Sequence, residues 1–447
     1  MFNQDWTYKK LIKYVSPSIF SVIFISLYTI IDGLFISRYV GTEALAALNV
    51  VYPLYNIIFS ITIMFCVGGS VIVAINLGEK KYQEANNSFS LITLSNLLIS
   101  VISSVIGLLF IYPILDILGV TPNLMHHGKI YAQILLISAP FVALKFSIEY
   151  FLRVDNNARL SFIITLIGGI TNIVLDYVFV VIFKWGVAGA GLATFAGIFI
   201  SALIGLFYFV KYRKHLKYII PVFHFQTIIS TFINGVSEMI TELSFGVVTF
   251  LFNSFLMKYA GYKGVAAYTA LLYIFYVFRS VFFGVTTGVQ PVISYNIGSR
   301  SFHIIREIIF KSTTLIAIYS LLAFMLMQFK GEFLTRIFVV NDNETVELAI
   351  VGMKYFSYGL LIGGLNIFGI GYFNAIDKGK TAVSISFSKF IFFTIPGLFI
   401  LSKLYGLNGI WLSLPVSELC TFTMLIAVSL KNKIKTKRFA TLEAINK

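Results

Sequence analysis

Charged residues are scarce in this chain of 447 residues. Asp, Glu, Lys and Arg make up 12% of it, about half the usual share in soluble domains. Hydrophobic residues make up 58%, and the mean hydropathy is +0.88. This balance excludes an ordinary soluble domain. The apolar runs are too long for the short alternating strands of a membrane β-barrel, so we predict an all-α polytopic membrane protein.

Cysteine and histidine are also rare, and their positions argue against several kinds of chemistry. Cys66 and Cys420 both lie inside apolar runs, where a small core residue is more usual than a disulfide or metal pair. The five histidines fall in predicted loops or near the membrane surface. The sequence therefore contains no clustered catalytic set that would indicate an enzyme, and we expect no cofactor.

A nucleotide-binding loop is missing as well. The stretch NAIDKGKT (374–381) ends like a P-loop, but Asn374 stands where the first glycine is required. It also lies in a predicted loop between helices, with no strand before it. ATP is thus not the expected source of energy, and an ion gradient is.

Long apolar segments dominate what the sequence does contain, and each is long enough to cross about 30 Å of hydrocarbon. We predict twelve transmembrane helices. Their approximate ranges are 11–36, 47–77, 90–115, 130–152, 161–183, 187–210, 231–257, 265–297, 309–329, 349–373, 383–402 and 409–430.

The positive charge predicts how these helices are oriented. The net charge is +15, and Lys and Arg are concentrated in alternate short loops and in the C-terminal tail. Such loops face the cytoplasm, so we predict that both termini are cytoplasmic. Membrane topology explains this charge better than binding to nucleic acid, and no nucleic-acid partner is expected.

An internal sequence repeat relates the two halves of the chain. SRYVGTEALAAL (37–48) precedes MKYAGYKGVAAY (257–268) by 220 residues, and four positions are identical between the two segments. Gly68, Asn76 and Gly78 match glycine, asparagine and glycine at the same offset. We predict two pseudo-symmetric six-helix bundles, an N-terminal lobe at 1–215 and a C-terminal lobe at 216–447. Parallel repeats of this kind favour a secondary transporter that works by alternating access.

Ionisable residues inside the predicted helices are costly in a membrane and indicate function. Asp32 lies in the first helix, and Asp176 lies deep in the fifth with Asn172 four residues before it. The second half lacks both carboxylates, since Phe252 matches Asp32 and either Pro396 or Leu398 matches Asp176. We predict a proton or Na⁺ site at Asp32, Asn172 and Asp176. The alternative is a buried polar pair that only fixes helix packing.

Other charged residues in these helices are candidates for substrate contacts. Glu238 and Glu242 share one face of the seventh helix, and we predict that they bind a cationic substrate, unless Glu238 is merely solvated near the surface. Glu149 is a third candidate, although it can equally pair with Lys145, four residues away. Arg279, Lys389 and Glu418 are expected to form structural pairs. The 45 Phe and 25 Tyr residues suit a cavity for flat organic cations.

These motifs together resemble the multidrug and toxic compound extrusion (MATE) family. The likeness rests on Pro17 and on the ordered segments IIDGLFISRYVGTEALAAL, GGSVIVAINLGEKK, YFLRVDNNAR, NIVLDYVFV and WGVAGAGLATFAG. It implies two bundles in a bacterial plasma membrane that export organic cations or drugs in exchange for H⁺ or Na⁺. It also implies a coupling site in the first lobe that adds Thr194 to the three residues above. Glu242 is about one turn from the family's seventh-helix glutamate. We expect a monomer whose partners are small organic cations and the lipid bilayer.

Two other functions fit part of the sequence. A flippase for lipid-linked precursors, from the same superfamily, would need a cationic cavity. The embedded charges are instead six acidic and three basic by the predicted boundaries, which favours cationic cargo. A membrane-embedded enzyme would need the catalytic cluster that the sequence lacks.

Overall fold

The structure is a computed structural model that describes residues 2, 4–339 and 342–445, with side chains at all of these except Thr42 and 432–445. The basic C-terminal tail of the topology prediction thus lies largely outside the described side chains, and residues 446–447 of the predicted second lobe lie outside the described chain. The described part is helical and contains no strand, which confirms the all-α fold. The helices are α1 (Tyr8–Tyr39), α2 (Thr42–Gly78), α3 (Tyr82–Leu109), α4 (Ile111–Ile117), α5 (Pro122–Val154), α6 (Ala158–Asp176), α7 (Gly186–Phe207), α8 (Phe225–Gly298), α9 (Phe302–Phe329), α10 (Gly331–Arg336), α11 (Asn343–Ala375), α12 (Gly379–Ser388) and α13 (Ile395–Ile445).

Three π-helical segments extend or join these helices. They cover Tyr177–Ile182, Tyr208–Tyr212 and Lys389–Thr394. A π-helical turn interrupts the regular i to i−4 ladder and is frequent at functional sites. The first lies directly after Asp176, so a predicted site residue stands where the α-helix ends.

Ten helical stretches in the described chain are long and apolar enough to cross a membrane. Two of them contain a glycine with non-helical backbone angles, Gly261 at φ 62° and Gly406 at φ 58°. Each such glycine divides a continuous helical stretch into two spans. The described residues thus contain twelve spans, in the predicted order. The loop predicted at 211–230 is shorter in the structure, because α8 already begins at Phe225.

The backbone repeats the pattern found in the sequence. Positive φ angles occur at Gly41 and Gly261, at Lys80 and Arg300, and at Gly186 and Gly406. The two members of each pair are 220 residues apart, the offset of the sequence repeat. The same unusual turns therefore recur at matching positions in both halves.

Close packing divides the chain into two compact units that are discontinuous in sequence. The first unit comprises Met1–Gly246, Ser280–Ser312 and Gly371–Lys380. The second comprises Val247–Arg279, Thr313–Ile370 and Thr381–Lys447. The predicted lobes, 1–215 and 216–447, follow the repeat instead and stay a prediction. Asp32, Asn172, Asp176 and Thr194 all belong to the first unit.

A buried carboxylate fixes the start of the segment that joins the sixth and seventh spans. Asp155 directly follows α5 and is fully buried. It accepts hydrogen bonds from the Tyr208 hydroxyl at 2.7 Å and from the backbone N–H groups of Lys214, His215 and Leu216 at 3.1, 2.7 and 3.0 Å. The carboxylate thereby replaces the helical partners that these N–H groups lack.

Removing this carboxylate is expected to lower stability. Asp155→Ala deletes four hydrogen bonds to one charged group, and a single bond to a charged group contributes roughly 1.5–3 kcal/mol. Since water replaces part of the loss, we expect a net cost of about 2–4 kcal/mol. It is measured as a lower melting temperature of the purified protein. Asp116→Ala, on the exposed side of α4, is the control and should leave the melting temperature unchanged.

Candidate functional site

The first arm of the site is the C-terminal part of α1. Asp32 is half-buried, and its Oδ1 atom is fully buried with no hydrogen-bond donor among the described residues. Its flanking residues are apolar, as required of a helix that faces lipid and protein. The charge is therefore held at a position where water cannot freely compensate it.

The second arm is the end of α6. Asp176 is fully buried, and neither of its carboxyl oxygens meets a donor in the described part of the chain. Asn172 is 3% exposed and lies one turn earlier on the same face. Its Oδ1 atom is likewise buried without a donor. The amide and the carboxylate thus lie on one face of α6.

A close approach of α6 and α7 completes this arm. A Cβ atom at Gly197 would lie 2.4 Å from the carbonyl oxygen of Gly168, and one at Gly168 would lie 2.8 Å from that of Gly197. Only glycine permits this separation. As a result, Asn172 Nδ2 reaches Thr194 Oγ1 on α7 and donates a hydrogen bond of 3.2 Å. That bond orients the amide and leaves its oxygen free.

The two carboxyl groups are direct neighbours. Asp32 and Asp176 interact with each other from α1 and α6. With Asn172 Oδ1, one turn before Asp176 on α6, these residues hold four buried oxygen atoms that have no donor among the described residues. Two carboxylates in one dry site repel each other, so a bound cation or a shared proton would neutralise them. The structure thus assembles all four predicted site residues of the first lobe in one place.

Tyr131 is a neighbour of this site that the sequence did not reveal. It lies on α5, is 8% exposed, and its phenol is within electrostatic range of both Asp32 and Asp176. It is one of 25 tyrosines. Its sequence surroundings do not distinguish it, because the contact arises only when α5 packs against the other helices.

The two carboxylates predicted to bind substrate lie on α8, in the same unit as the oxygens of the predicted coupling site. Glu238 and Glu242 are half-buried, and both are within electrostatic range of the Tyr150 phenol on α5. Arg153 is 4% exposed and lies over the Tyr150 ring, with 4.9 Å between the guanidinium carbon and the ring centroid. An aromatic ring, a cation and two carboxylates therefore meet at this place.

Glu149 is engaged within the protein. It is 1% exposed, its Oε1 atom lies 3.5 Å from Lys145 Nζ, and it accepts a hydrogen bond of 2.8 Å from the Thr165 hydroxyl. The predicted pairing with Lys145 is confirmed. Since this carboxylate already has two partners, its role in substrate binding stays a prediction.

Comparison with known proteins identifies the family. The MatE family model matches the chain twice, over residues 17–178 and 238–400. The protein named multidrug export protein MepA from Staphylococcus haemolyticus is 26% identical over 99% of this chain and 98% of its own length. The protein of the same name from Staphylococcus saprophyticus is 25% identical over 99% of this chain and 98% of its own length. A crystal structure described as MATE in complex with MaL6 has a TM-score of 0.90 at 19% identity, covering 98% of each chain. The two family matches begin about one repeat length apart, and the chain belongs to the MatE family and is a multi-pass membrane transporter, not an enzyme.

Proposed function

We propose that this transporter is a secondary antiporter that exports organic cations, drugs among them, in exchange for H⁺ or Na⁺. The observation that carries the proposal is the group of four donor-free buried oxygens at Asp32, Asn172 and Asp176. Such a group has no favourable state while it is empty and ionised, because the charges are neither solvated nor paired. A cation or a proton makes it stable, so its occupancy can be coupled to a conformational change.

The identity of the cargo rests on different residues. Glu238 and Glu242 are half-buried and within electrostatic range of the Tyr150 phenol, and such carboxylates attract organic cations by charge. The full-length relatives are named multidrug export proteins, which favours the same cargo here. Glu149 acts on this region indirectly, since its pairing with Lys145 neutralises a buried ammonium group.

The proposal includes how the chain sits in the membrane. Two six-helix lobes, 1–215 and 216–447, work by alternating access in a bacterial plasma membrane, with both termini cytoplasmic. The protein works as a monomer and needs no cofactor.

Thr194 holds the Asn172 amide so that the amide oxygen remains available to the cation.

Transport by the purified protein in lipid vesicles tests this function. Vesicles are given an imposed Na⁺ gradient, an imposed pH gradient, both or neither, and movement of the fluorescent organic cation ethidium is measured. We expect ethidium to move in the direction opposite to the flow of one of the two ions down its gradient. Transport that ignores both gradients, or translocation of a labelled anionic lipid without any movement of ethidium, would contradict the proposal.

A further inference from the structure

The second unit contains a buried ion pair to which neither the fold nor the proposed transport cycle assigns a role. Glu418 is 5% exposed, and its Oε1 atom lies 2.6 Å from Lys389 Nζ. Its Oε2 atom accepts a hydrogen bond of 2.7 Å from Asn366 Nδ2. Asn366 is fully buried, and its own Oδ1 atom meets no donor among the described residues. A structural pair was expected among Arg279, Lys389 and Glu418, and it forms between Lys389 and Glu418.

These residues come from the last three spans of the second half, with Asn366 on α11, the tenth span. Lys389 begins the π-helical segment of the eleventh span, which is the fifth span of the second half. Glu418 lies beyond Gly406 on the twelfth span, the sixth of that half. In the first half, Asn172 and Thr194 lie on the fifth and sixth spans. Each half therefore places a polar group between its last two spans.

The chemistry of the two groups is similar with one difference. Both contain a buried carboxylate and a buried asparagine whose Oδ1 atom has no donor in the described part of the chain. In the first unit, no side-chain cation of the described residues pairs with Asp32 or Asp176. In the second unit, the Lys389 side chain holds an ammonium group at the Glu418 carboxylate. Its exposure of 23% leaves it partly accessible to solvent.

We propose that the Lys389 ammonium group is a resident cation that takes, in the second unit, the place of an exchangeable monovalent cation at the buried Glu418 carboxylate. Its Nζ atom lies against Glu418 Oε1, where a sodium ion would otherwise bind, whereas Asn366 donates its Nδ2 group to the other carboxylate oxygen. The Lys389–Glu418 pair consequently stays neutral through the cycle and exchanges no ion. One further step rests on the proposed antiport. If the pair exchanges no ion, each chain has one exchangeable cation site, the one in the first unit.

Removing the lysine should convert this place into a site for an exchangeable ion. The background is Asp176→Asn, which neutralises one carboxylate of the first-unit site. We expect the melting temperature of this variant in alkaline buffer to be equal in NaCl, KCl and choline chloride. Adding Lys389→Ala should lower the melting temperature in choline chloride. Na⁺ or K⁺ should then raise it by several degrees, because a ligand that binds only the folded state stabilises it. Adding Glu418→Gln should abolish that rise.

The matched control is Lys389→Arg, which keeps a tethered cation and should show no response to either ion. Equal destabilisation of the Lys389→Ala variant in all three salts would overturn the proposal. A response that survives Glu418→Gln would do so as well. If the alanine variant does not survive purification in choline chloride, it is extracted in NaCl or methylammonium chloride. Recovery of folded protein in these salts supports the resident cation, and no recovery contradicts it. These measurements do not depend on transport, so they can fail while the proposed antiport holds.

Discussion

Asp176→Asn is expected to abolish gradient-driven export while the protein is still made in normal amounts. Asparagine has the same shape but removes the charge that would hold H⁺ or Na⁺. Loss of one partner from a buried charged pair typically costs 2–5 kcal/mol, which corresponds to a fall in cation affinity of roughly 30-fold or more. Asp32→Asn should have the same effect, since the two carboxyls face each other. Both are measured as ethidium export from expressing cells and as transport in vesicles.

The matched control for these variants is Asp116→Asn on α4, a carboxylate that is exposed. It should transport like the unaltered protein. If both Asp32→Asn and Asp176→Asn retained full efflux at equal protein levels, ion coupling in the first lobe would be wrong. Loss of protein in either variant would be detected by immunoblotting, which separates failed coupling from failed folding.

Membrane insertion makes buried charge conspicuous, which is why the sequence alone pointed to most residues of this candidate site. Asp32 and Asp176 stand out from apolar neighbours, and the repeat shows that the second half lacks them. Asn172 was predicted as a site residue from its helical spacing to Asp176, whereas Thr194 was predicted only from the resemblance to a family. The structure then adds a hydrogen bond between the amide and that threonine. The number and order of the spans followed from the same hydrophobic runs.

Other features could not be predicted, since they depend on how helices pack. Tyr131 lies near the carboxyls only because α5 packs in the same unit as α1 and α6. The π-helical turn after Asp176 has no sequence signature, as its residues are ordinary apolar ones. The division into two units also differs from the repeat, because packing follows spatial neighbours rather than sequence halves.

Gly197→Ala is expected to impair transport although it touches no charged group. The new Cβ atom would lie 2.4 Å from the Gly168 carbonyl oxygen, which belongs to the backbone and cannot rotate away. The helices α6 and α7 must therefore separate by several tenths of an ångström. That movement stretches the 3.2 Å bond from Asn172 to Thr194 and turns the amide oxygen away from the two carboxyls. Since a displacement of about 1 Å can cost roughly 100-fold in rate, we expect export to fall by about tenfold.

Gly397→Ala provides the comparison that isolates this cause. A Cβ atom there would lie 4.0 Å from its nearest neighbour, the Ser413 carbonyl oxygen, so alanine fits without movement. Alanine also favours a helix over glycine by about 1 kcal/mol at both positions, so intrinsic propensity cannot explain a loss at Gly197 alone. Vesicle transport should separate the two variants, with a higher ion concentration needed for half-maximal rate in Gly197→Ala. Equal transport by both would mean that the α6–α7 separation does not control the cation site. A second variant, Thr194→Val, removes the same hydrogen bond without moving the helices and should reproduce part of the Gly197→Ala effect.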